Sequence, residues 1–406
     1  MKNRIIAILF VLFIFVCGIV TARNAIEYVK RPEEKKTAES LVRELADSER
    51  GFNKETFDYV SNLVTASFAY RNTWINGNGL FQKMIGKTGD IEKGWYRLDN
   101  GQLMYALQKK PNSVLDQYSE NIVNLSNCAK KYGMNFLYVA LPYKTGDSAA
   151  FPAGVTDYAN ANEDRITKNL SKQNVNVLDL RNQINETGKS RPELFFRTDH
   201  HWKPQTAIGG AGEISKELAK IDPEWQDSPS LRYMSNYKAE KHSNQFLGSI
   251  GRRVGDLYIG KDDFPIVTPK FKTQYEYRIP RKVGDIYKTG TFEDVFINRQ
   301  NLSGGELDTN TYGVYCDGDH HKEVVKNRTA LNSDKILLIR DSFSCTLMPY
   351  LSLYTRQIIT IDLRLFDSRS IYSYIGKHPD IDTVIVAYNP SSISEQQYTF
   401  DKVTHE

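Results

Sequence analysis

The sequence predicts an α/β fold built on a mostly parallel sheet. Apolar runs of strand length alternate with segments of helical periodicity. Continuous apolar strands separated by helices are typical of a sheet that helices cover on both faces. Functional sites in such sheets lie beyond the carboxyl ends of the strands. The predicted strands are 135–142, 175–180, 335–339, 357–364 and 383–389, and the predicted helices are 115–131, 162–172, 204–218 and 346–354.

Local signals justify several of these elements. Apolar residues recur at helical spacing through 115–131, and Gly133 follows as a stop signal. Pro204 opens the third helix, where its missing N–H costs nothing. Asn100-Gly101 predicts the turn of a hairpin within residues 89–107. Helical periodicity fades between about 225 and 330, which predicts a β-rich insertion.

The N-terminus predicts export. Lys2 and Arg4 precede an uncharged apolar run over residues 5–20, a pattern typical of a signal peptide or a membrane anchor. We assign residues 1–22 to that segment, 23–60 to a charged helical stalk or linker, and 61–400 to the α/β domain. Cleavage and retention of the segment are both open, and either places the rest of the chain outside the cytoplasm.

Composition excludes some classes of function. A formal net charge of +4 with no long basic run does not indicate a nucleic-acid partner. Beyond Cys17 of the apolar N-terminal run, the three scattered cysteines, Cys128, Cys316 and Cys345, form no disulfide framework. A bridge between Cys316 and Cys345 and buried free thiols both remain open.

Two motifs predict a serine nucleophile site. Residues 198–202 (TDHHW) place Asp199 two positions before His201, so that both side chains share one face of an extended loop. His200 then points the other way and is predicted to be structural. Ser342 closes an apolar strand far downstream, where a turn into a helix exposes its hydroxyl. A serine needs a base, and the base needs an acid that fixes its tautomer, so Ser342, His201 and Asp199 are the catalytic candidates.

Further candidates lie at the predicted strand ends. Asn389 and the Ser342 backbone N–H are candidate oxyanion donors, since such donors stabilise the charge that develops on the carbonyl oxygen. Arg364 and Tyr388 end neighbouring strands and are candidates for binding the substrate.

A metal site is the rival interpretation. Residues 319–321 repeat the Asp-His-His of 199–201, so four of the seven histidines lie in two copies of one tripeptide. Imidazoles and carboxylates suit zinc. Adjacent histidines seldom bind one ion, however, so we expect no metal and no cofactor.

Several blocks together resemble the DHHW family and the related AlgX/AlgJ type of SGNH-hydrolase-like proteins. The blocks, spread over residues 90 to 390, are GWY at 94–96, LPYK at 141–144, FP at 151–152, DHHW at 199–202 and RDSFS at 340–344. The resemblance implies an SGNH-like three-layer fold with a permuted order, acid and histidine before serine. It also implies a triad at Ser342, His201 and Asp199. Trp202 and Lys144, which belong to the matching blocks, join the substrate-binding candidates.

The resemblance also implies a function. Relatives of the AlgX/AlgJ group O-acetylate exported polysaccharides and receive acetyl groups through a membrane-bound O-acyltransferase partner. We therefore expect an O-acetyltransferase or acetylesterase that acts on a cell-surface or secreted polysaccharide. The alternative is a non-catalytic glycan-binding or scaffold component of an export complex. The chain departs from the family pattern at Arg340, where classical SGNH blocks have glycine, and shows no recognisable carbohydrate-binding module after Asn389.

Overall fold

A computed structural model describes residues 2–47, 54–92, 94–146, 150–281, 284–302, 304–366 and 370–401. Residues 48–53 of the predicted stalk, and residues 282–283 and 303 of the predicted insertion, lie outside the described residues. Contacts divide the chain into two units, Met1–Phe81 and Gln82–Glu406.

The first unit is helical. It contains α1 (Lys2–Val29), α2 (Pro32–Asp47), α3 (Lys54–Ser67) and most of α4 (Arg71–Met84). Within α1, Arg4–Val29 is long and apolar enough to cross a membrane, with a mean hydropathy of 3.1. The helix therefore extends beyond the apolar run at 5–20 that the sequence marked.

The second unit holds the α/β fold. Its elements are β1 (Trp95–Arg97), β2 (Leu103–Tyr105), α5 (Asn112–Lys131), β3 (Asn135–Ala140), α6 (Ala159–Lys172), β4 (Val177–Asp179), α7 (Leu180–Glu186), α8 (Arg191–Leu194), α9 (Pro204–Ile221), β5 (Tyr237–Phe246), α10 (Gly251–Val254), α11 (Asp256–Ile259), β6 (Asp262–Pro269), β7 (Tyr275–Ile279), β8 (Ile286–Gly290), α12 (Phe292–Phe296), β9 (Lys322–Asn327), β10 (Asn332–Arg340), α13 (Ser344–Leu351), β11 (Thr355–Ile361), α14 (Ile371–Lys377), β12 (Thr383–Tyr388) and α15 (Glu395–Tyr398).

The central sheet has eight strands in the order β4-β3-β12-β10-β11-β9-β7-β8. The pairs from β4 to β11 are parallel, as the apolar runs predicted. The pairs from β11 to β8 are antiparallel, so β7, β8 and β9 of the β-rich region extend the same sheet. The remaining strands of that region, β5 and β6, form a separate antiparallel ribbon.

Helices pack against both faces of the sheet. Alternate residues of each central strand point to opposite faces, so each strand contributes to both apolar layers. In β10, Ile336 and Leu338 pack in one apolar cluster with residues of α9 and α13. Leu337 and Ile339 pack in a second cluster with residues of α5, α6 and α14. All four side chains are fully buried. The predicted three-layer α/β architecture is confirmed.

Candidate active site

The loop that carries Asp199 and His201 is held by hydrogen bonds on several sides. An isolated bridge between Phe195 and Trp202 closes the loop as a narrow hairpin. The backbone N–H and hydroxyl of Thr198 both donate to Asp262 Oδ2 at 2.7 Å. Leu103 N donates to Arg197 O, which attaches the β1–β2 hairpin to the loop. The loop is therefore fixed by elements that come before and after it in the chain.

Asp199, His201 and Ser342 form a hydrogen-bonded series. Asp199 Oδ1 lies 2.5 Å from His201 Nδ1 and also accepts from the His201 backbone N–H at 2.9 Å. His201 Nε2 lies 2.8 Å from Ser342 Oγ. The carboxylate and the imidazole are buried. The structure thus brings together all three predicted catalytic residues across 141 positions of sequence.

Ser342 occupies the turn between β10 and α13. Phe343 N donates to Asp341 Oδ1 at 3.0 Å, which tightens this turn. Asp341 Oδ2 accepts from Asn389 N and from Ser392 Oγ, so the turn is joined to the end of β12. Burial raises the pKa of Asp341, and these hydrogen bonds counter the rise. Within the described part of the chain the Ser342 N–H has no acceptor, which leaves it available to an oxyanion.

Hydrogen bonds orient the His201 ring, with Nδ1 towards Asp199 and Nε2 towards Ser342. Burial opposes ionisation of Asp199, but attraction to His201 and hydrogen bonds from it outweigh burial, and the pKa of Asp199 lies well below its ordinary value. An ionised Asp199 accepts a hydrogen bond from the His201 Nδ1–H, so His201 Nε2 is free to accept a hydrogen bond from the Ser342 hydroxyl. Burial lowers the pKa of His200 to about 3. His200 therefore adds no positive charge beside the base at neutral pH.

A segment that the sequence did not mark supports the acid. Ser249 N donates to Asp199 Oδ2 at 2.6 Å, so both carboxylate oxygens are occupied. Gly248 N donates to Thr198 Oγ1 at 2.8 Å. A Cβ at Gly248 would lie 2.6 Å from Asp199 Oδ2, so only glycine fits this approach. The two glycines of residues 247–251 (LGSIG) were the available signal, but nothing in the sequence connected them to the acid loop.

Tyr312 is a second residue that the sequence did not mark. Its ring stacks on the His201 imidazole, with centroids 4.0 Å apart and planes 15° from parallel. Its hydroxyl lies 3.4 Å from the Ser342 carbonyl oxygen. Tyr312 therefore covers one face of the base and limits the orientations of its ring.

Four of the five other candidates are committed to the protein itself. Lys144 Nζ donates to three backbone carbonyls, of Leu103, Arg197 and Asp199, which uses all three N–H groups of the ammonium. Trp202 Nε1 donates to Thr346 Oγ1 at 2.8 Å and to Phe343 O at 3.1 Å.

The remaining two of these four lie at the end of β12. The Tyr388 hydroxyl donates to Gln397 O at 2.8 Å. Asn389 Nδ2 donates to Pro142 O at 2.7 Å, and its Oδ1 accepts from Ser391. Lys144, Trp202, Tyr388 and Asn389 are buried. Their contacts give these side chains a structural role, because they hold the strand ends and the two loops that carry Asp199, His201 and Ser342.

Arg364 and the second Asp-His-His copy belong to an ionic network. Arg364 binds Asp319 and Asp362, and its side chain is one-third exposed. The buried Arg340 guanidinium binds Asp319 at 2.5 Å and Glu323 at 2.8 Å. Arg340 thus lies at the centre of a cluster of carboxylates. Two guanidinium groups on Asp319 oppose a cation there, which argues against the metal interpretation of residues 319–321.

Cys316 and Cys345, the two cysteines for which a bridge remained open, lie near this network. Both are buried free thiols. Cys316 Sγ donates to the Cys345 carbonyl oxygen at 3.4 Å. Cys345 Sγ donates to Asp319 Oδ1 at 3.2 Å. The Cys316 thiol therefore forms a hydrogen bond to α13, and the Cys345 thiol forms one to the carboxylate cluster.

Comparisons with known proteins agree with this fold. Residues 102–256 match the family described as SGNH hydrolase-like domain, acetyltransferase AlgX. PatB1 of Bacillus cereus is similar in structure, with a TM-score of 0.60 and 22% identity over 76% of this chain and 98% of that one. A second structure of PatB1, with a sulfonyl adduct, gives a TM-score of 0.61 and 21% identity over 75% of this chain and 99% of that one.

A DHHW family protein from Eubacterium siraeum is also similar, with a TM-score of 0.51 and 19% identity over 75% of this chain and 92% of that one. No curated protein sequence gave a significant match. The matched family region includes Asp199 and His201 but ends before Ser342. The resemblance expected from the motifs is confirmed. The chain has an SGNH-like α/β fold, and part of it matches the model of the AlgX SGNH hydrolase-like domain.

Proposed function

We propose that this chain is a serine enzyme that transfers or hydrolyses O-acetyl groups on a polysaccharide. The observation that carries the proposal is the series of hydrogen bonds from Asp199 through His201 to Ser342. Each group has the partner that its role requires, since the acid orients the base and the base reaches the nucleophile. The SGNH-like acetyltransferase fold supports the same class of chemistry.

In the first half-reaction, Ser342 Oγ attacks the carbonyl carbon of an acetyl ester while His201 Nε2 takes the hydroxyl proton. The Ser342 N–H stabilises the negative charge on the carbonyl oxygen, and Asp199 stabilises the imidazolium. Collapse of the tetrahedral intermediate breaks the bond to the donor oxygen. His201 returns its proton to that oxygen, and an acetyl-serine remains.

In the second half-reaction, His201 removes a proton from the incoming hydroxyl group, whose oxygen attacks the acetyl carbonyl carbon. The bond from that carbon to Ser342 Oγ then breaks. A sugar hydroxyl gives an O-acetylated glycan, whereas water gives acetate. The free serine takes the proton back from His201. Transfer requires that water be kept from the acetyl-serine.

We further propose that the enzyme works outside the cytoplasm on a cell-surface or secreted glycan. The apolar helix α1 supports an N-terminal membrane anchor or export signal. A membrane-bound O-acyltransferase that supplies acetyl groups is part of this proposal. It rests on the motif resemblance.

Activity on p-nitrophenyl acetate tests the proposal. Ser342→Ala should lower kcat/KM by at least about 10³-fold, because the acyl-enzyme cannot form. Ser171→Ala is the matched control, since Ser171 is an exposed serine of α6, and it should retain the wild-type rate. A fluorophosphonate should add covalently to Ser342 alone, as read by mass spectrometry. Equal rates for wild type and Ser342→Ala would reject the serine mechanism and favour the glycan-binding alternative.

A further inference from the structure

A row of rings leads from the candidate base to an exposed cation. The His201 and His200 rings lie 3.9 Å apart, and the Tyr105 ring lies 6.2 Å beyond His200. Trp95 packs edge-on against Tyr105 at 4.9 Å. The guanidinium carbon of Arg253 lies 5.5 Å from the centre of the Trp95 ring. Contacts between neighbours thus connect the nucleophile region to Arg253.

The β1–β2 hairpin fixes the middle of this row. Trp95 and Tyr105 are directly opposite each other in the hairpin register. Gly101 forms the turn with φ of 82°, a conformation that favours glycine. The Tyr105 hydroxyl bonds to the Ser391 side chain, and burial raises the pKa of Tyr105 to about 12. The hydroxyl therefore stays protonated, and the hairpin touches the segment that follows β12.

Arg253 differs from most arginines near the site. Its side chain is exposed. Arg340 and Arg364 both bind carboxylates, whereas no salt bridge joins Arg253 to an acidic side chain in the described residues. An arginine held over an indole by cation–π attraction keeps its charge and much of its hydrogen-bonding capacity. The Arg253 guanidinium is therefore a cation available to an anionic ligand.

We propose that Arg253 binds an anionic group, a carboxylate or a phosphate, on the acceptor glycan. Trp95 is the positioning residue that holds the guanidinium, and the half-buried Tyr105 ring lies between Trp95 and His200 in the row. A guanidinium presents parallel N–H donors that match either anion. Aromatic rings with polar tips suit the mixed apolar and hydroxylated surface of a sugar. The inference rests on the proposed function, since it names the acceptor of that site.

Binding measurements on Ser342→Ala test this assignment without turnover. Three probes are titrated by isothermal calorimetry: a galacturonate hexamer, a phosphorylated maltohexaose and unmodified maltohexaose. We expect one of the charged probes to bind about tenfold more tightly than the neutral one, and added salt to reduce that difference. Whichever charged probe prevails identifies the anion as carboxylate or phosphate.

Variants in the same background separate the roles of the two residues. Arg253→Gln should abolish the preference for the charged probe, and Arg253→Lys should retain part of it. Trp95→Ala should weaken the preference for the charged probe. Trp95→Phe should keep most of that preference, because a phenyl ring still offers a face to the guanidinium. Arg356→Gln is the matched control, because Arg356 is an exposed arginine of β11. It should leave the preference unchanged.

Two outcomes would overturn the assignment: equal affinities for all three hexasaccharides, or a preference that survives Arg253→Gln. Failure of the proposed function is read separately, as unchanged ester hydrolysis by Ser342→Ala. The binding titrations remain interpretable in that case, since they do not require catalysis.

Discussion

Gly248→Ala should damage the active site through a single added methyl group. The new Cβ would lie 2.6 Å from Asp199 Oδ2 and 2.7 Å from Thr198 O, and closer still to Asp199 Cβ. Real Cβ atoms essentially never approach another heavy atom within 3.0 Å, so the carboxylate and its loop must move. A displacement of about 1 Å in a catalytic group costs on the order of 10²-fold in rate. Overpacking at a buried position also destabilises a fold by about 1–3 kcal/mol.

Hydrolysis of p-nitrophenyl acetate and urea unfolding measure the two effects separately. We expect Gly248→Ala to lose about 10²-fold in kcat/KM while most of the protein stays folded. Gly209→Ala is the control, because a Cβ there meets no atom within 4 Å and alanine favours the α9 helix by about 0.5–1 kcal/mol. Wild-type activity of Gly248→Ala would show that residues 247–251 do not hold the acid in place.

Three further substitutions test other buried charged groups. Asp199→Asn should lower kcat by about 10³–10⁴-fold with little loss of stability, because an amide no longer fixes the imidazole tautomer; ester hydrolysis and circular dichroism check this. Arg340→Met should destabilise the fold by about 3–5 kcal/mol in urea unfolding, since it strands buried carboxylates, whereas Arg328→Met, at an exposed pair, should cost less than about 1 kcal/mol. Glu163 is a buried residue of α6 that accepts a hydrogen bond from the Tyr138 hydroxyl at 2.8 Å. Burial raises the pKa of Glu163 to about 7 from 4.5, so the folded state binds more protons between these values and stability should fall as the pH rises through them. Glu163→Gln should remove that slope in unfolding measured at several pH values, and an unchanged slope would reject the assignment.

Much of the fold followed from the sequence because local patterns and burial agree there. The runs that became β3, β10 and β12 are continuously apolar, and these strands are buried on both faces of the sheet. The strands β7 to β9 lack such a continuous apolar run, since more and less exposed positions alternate within them. Their membership of the central sheet depends on antiparallel pairing with β11, which no local pattern encodes.

The sequence by itself determined the chemistry of the candidate site. It supplied a carboxylate two positions before an imidazole and a serine at a strand end, and the alternation of an extended loop favoured His201 over His200. His201 contacts Ser342, as that choice requires. The prediction that His200 points the other way is wrong: its ring centroid lies 3.9 Å from that of His201, and its Nδ1 lies 3.6 Å from Asp199 Oδ1 and 3.3 Å from the Ser249 hydroxyl.

Only the tertiary structure decided what surrounds these groups. It placed residues 247–251 against Asp199 and the Tyr312 ring on His201. It also placed Lys144 Nζ within hydrogen-bond distance of backbone carbonyls. Each of these contacts joins segments that are distant in the sequence, and each depends on how the loops beyond the sheet pack together. Residue type and spacing fix what a side chain is able to do, but packing decides which partner it meets.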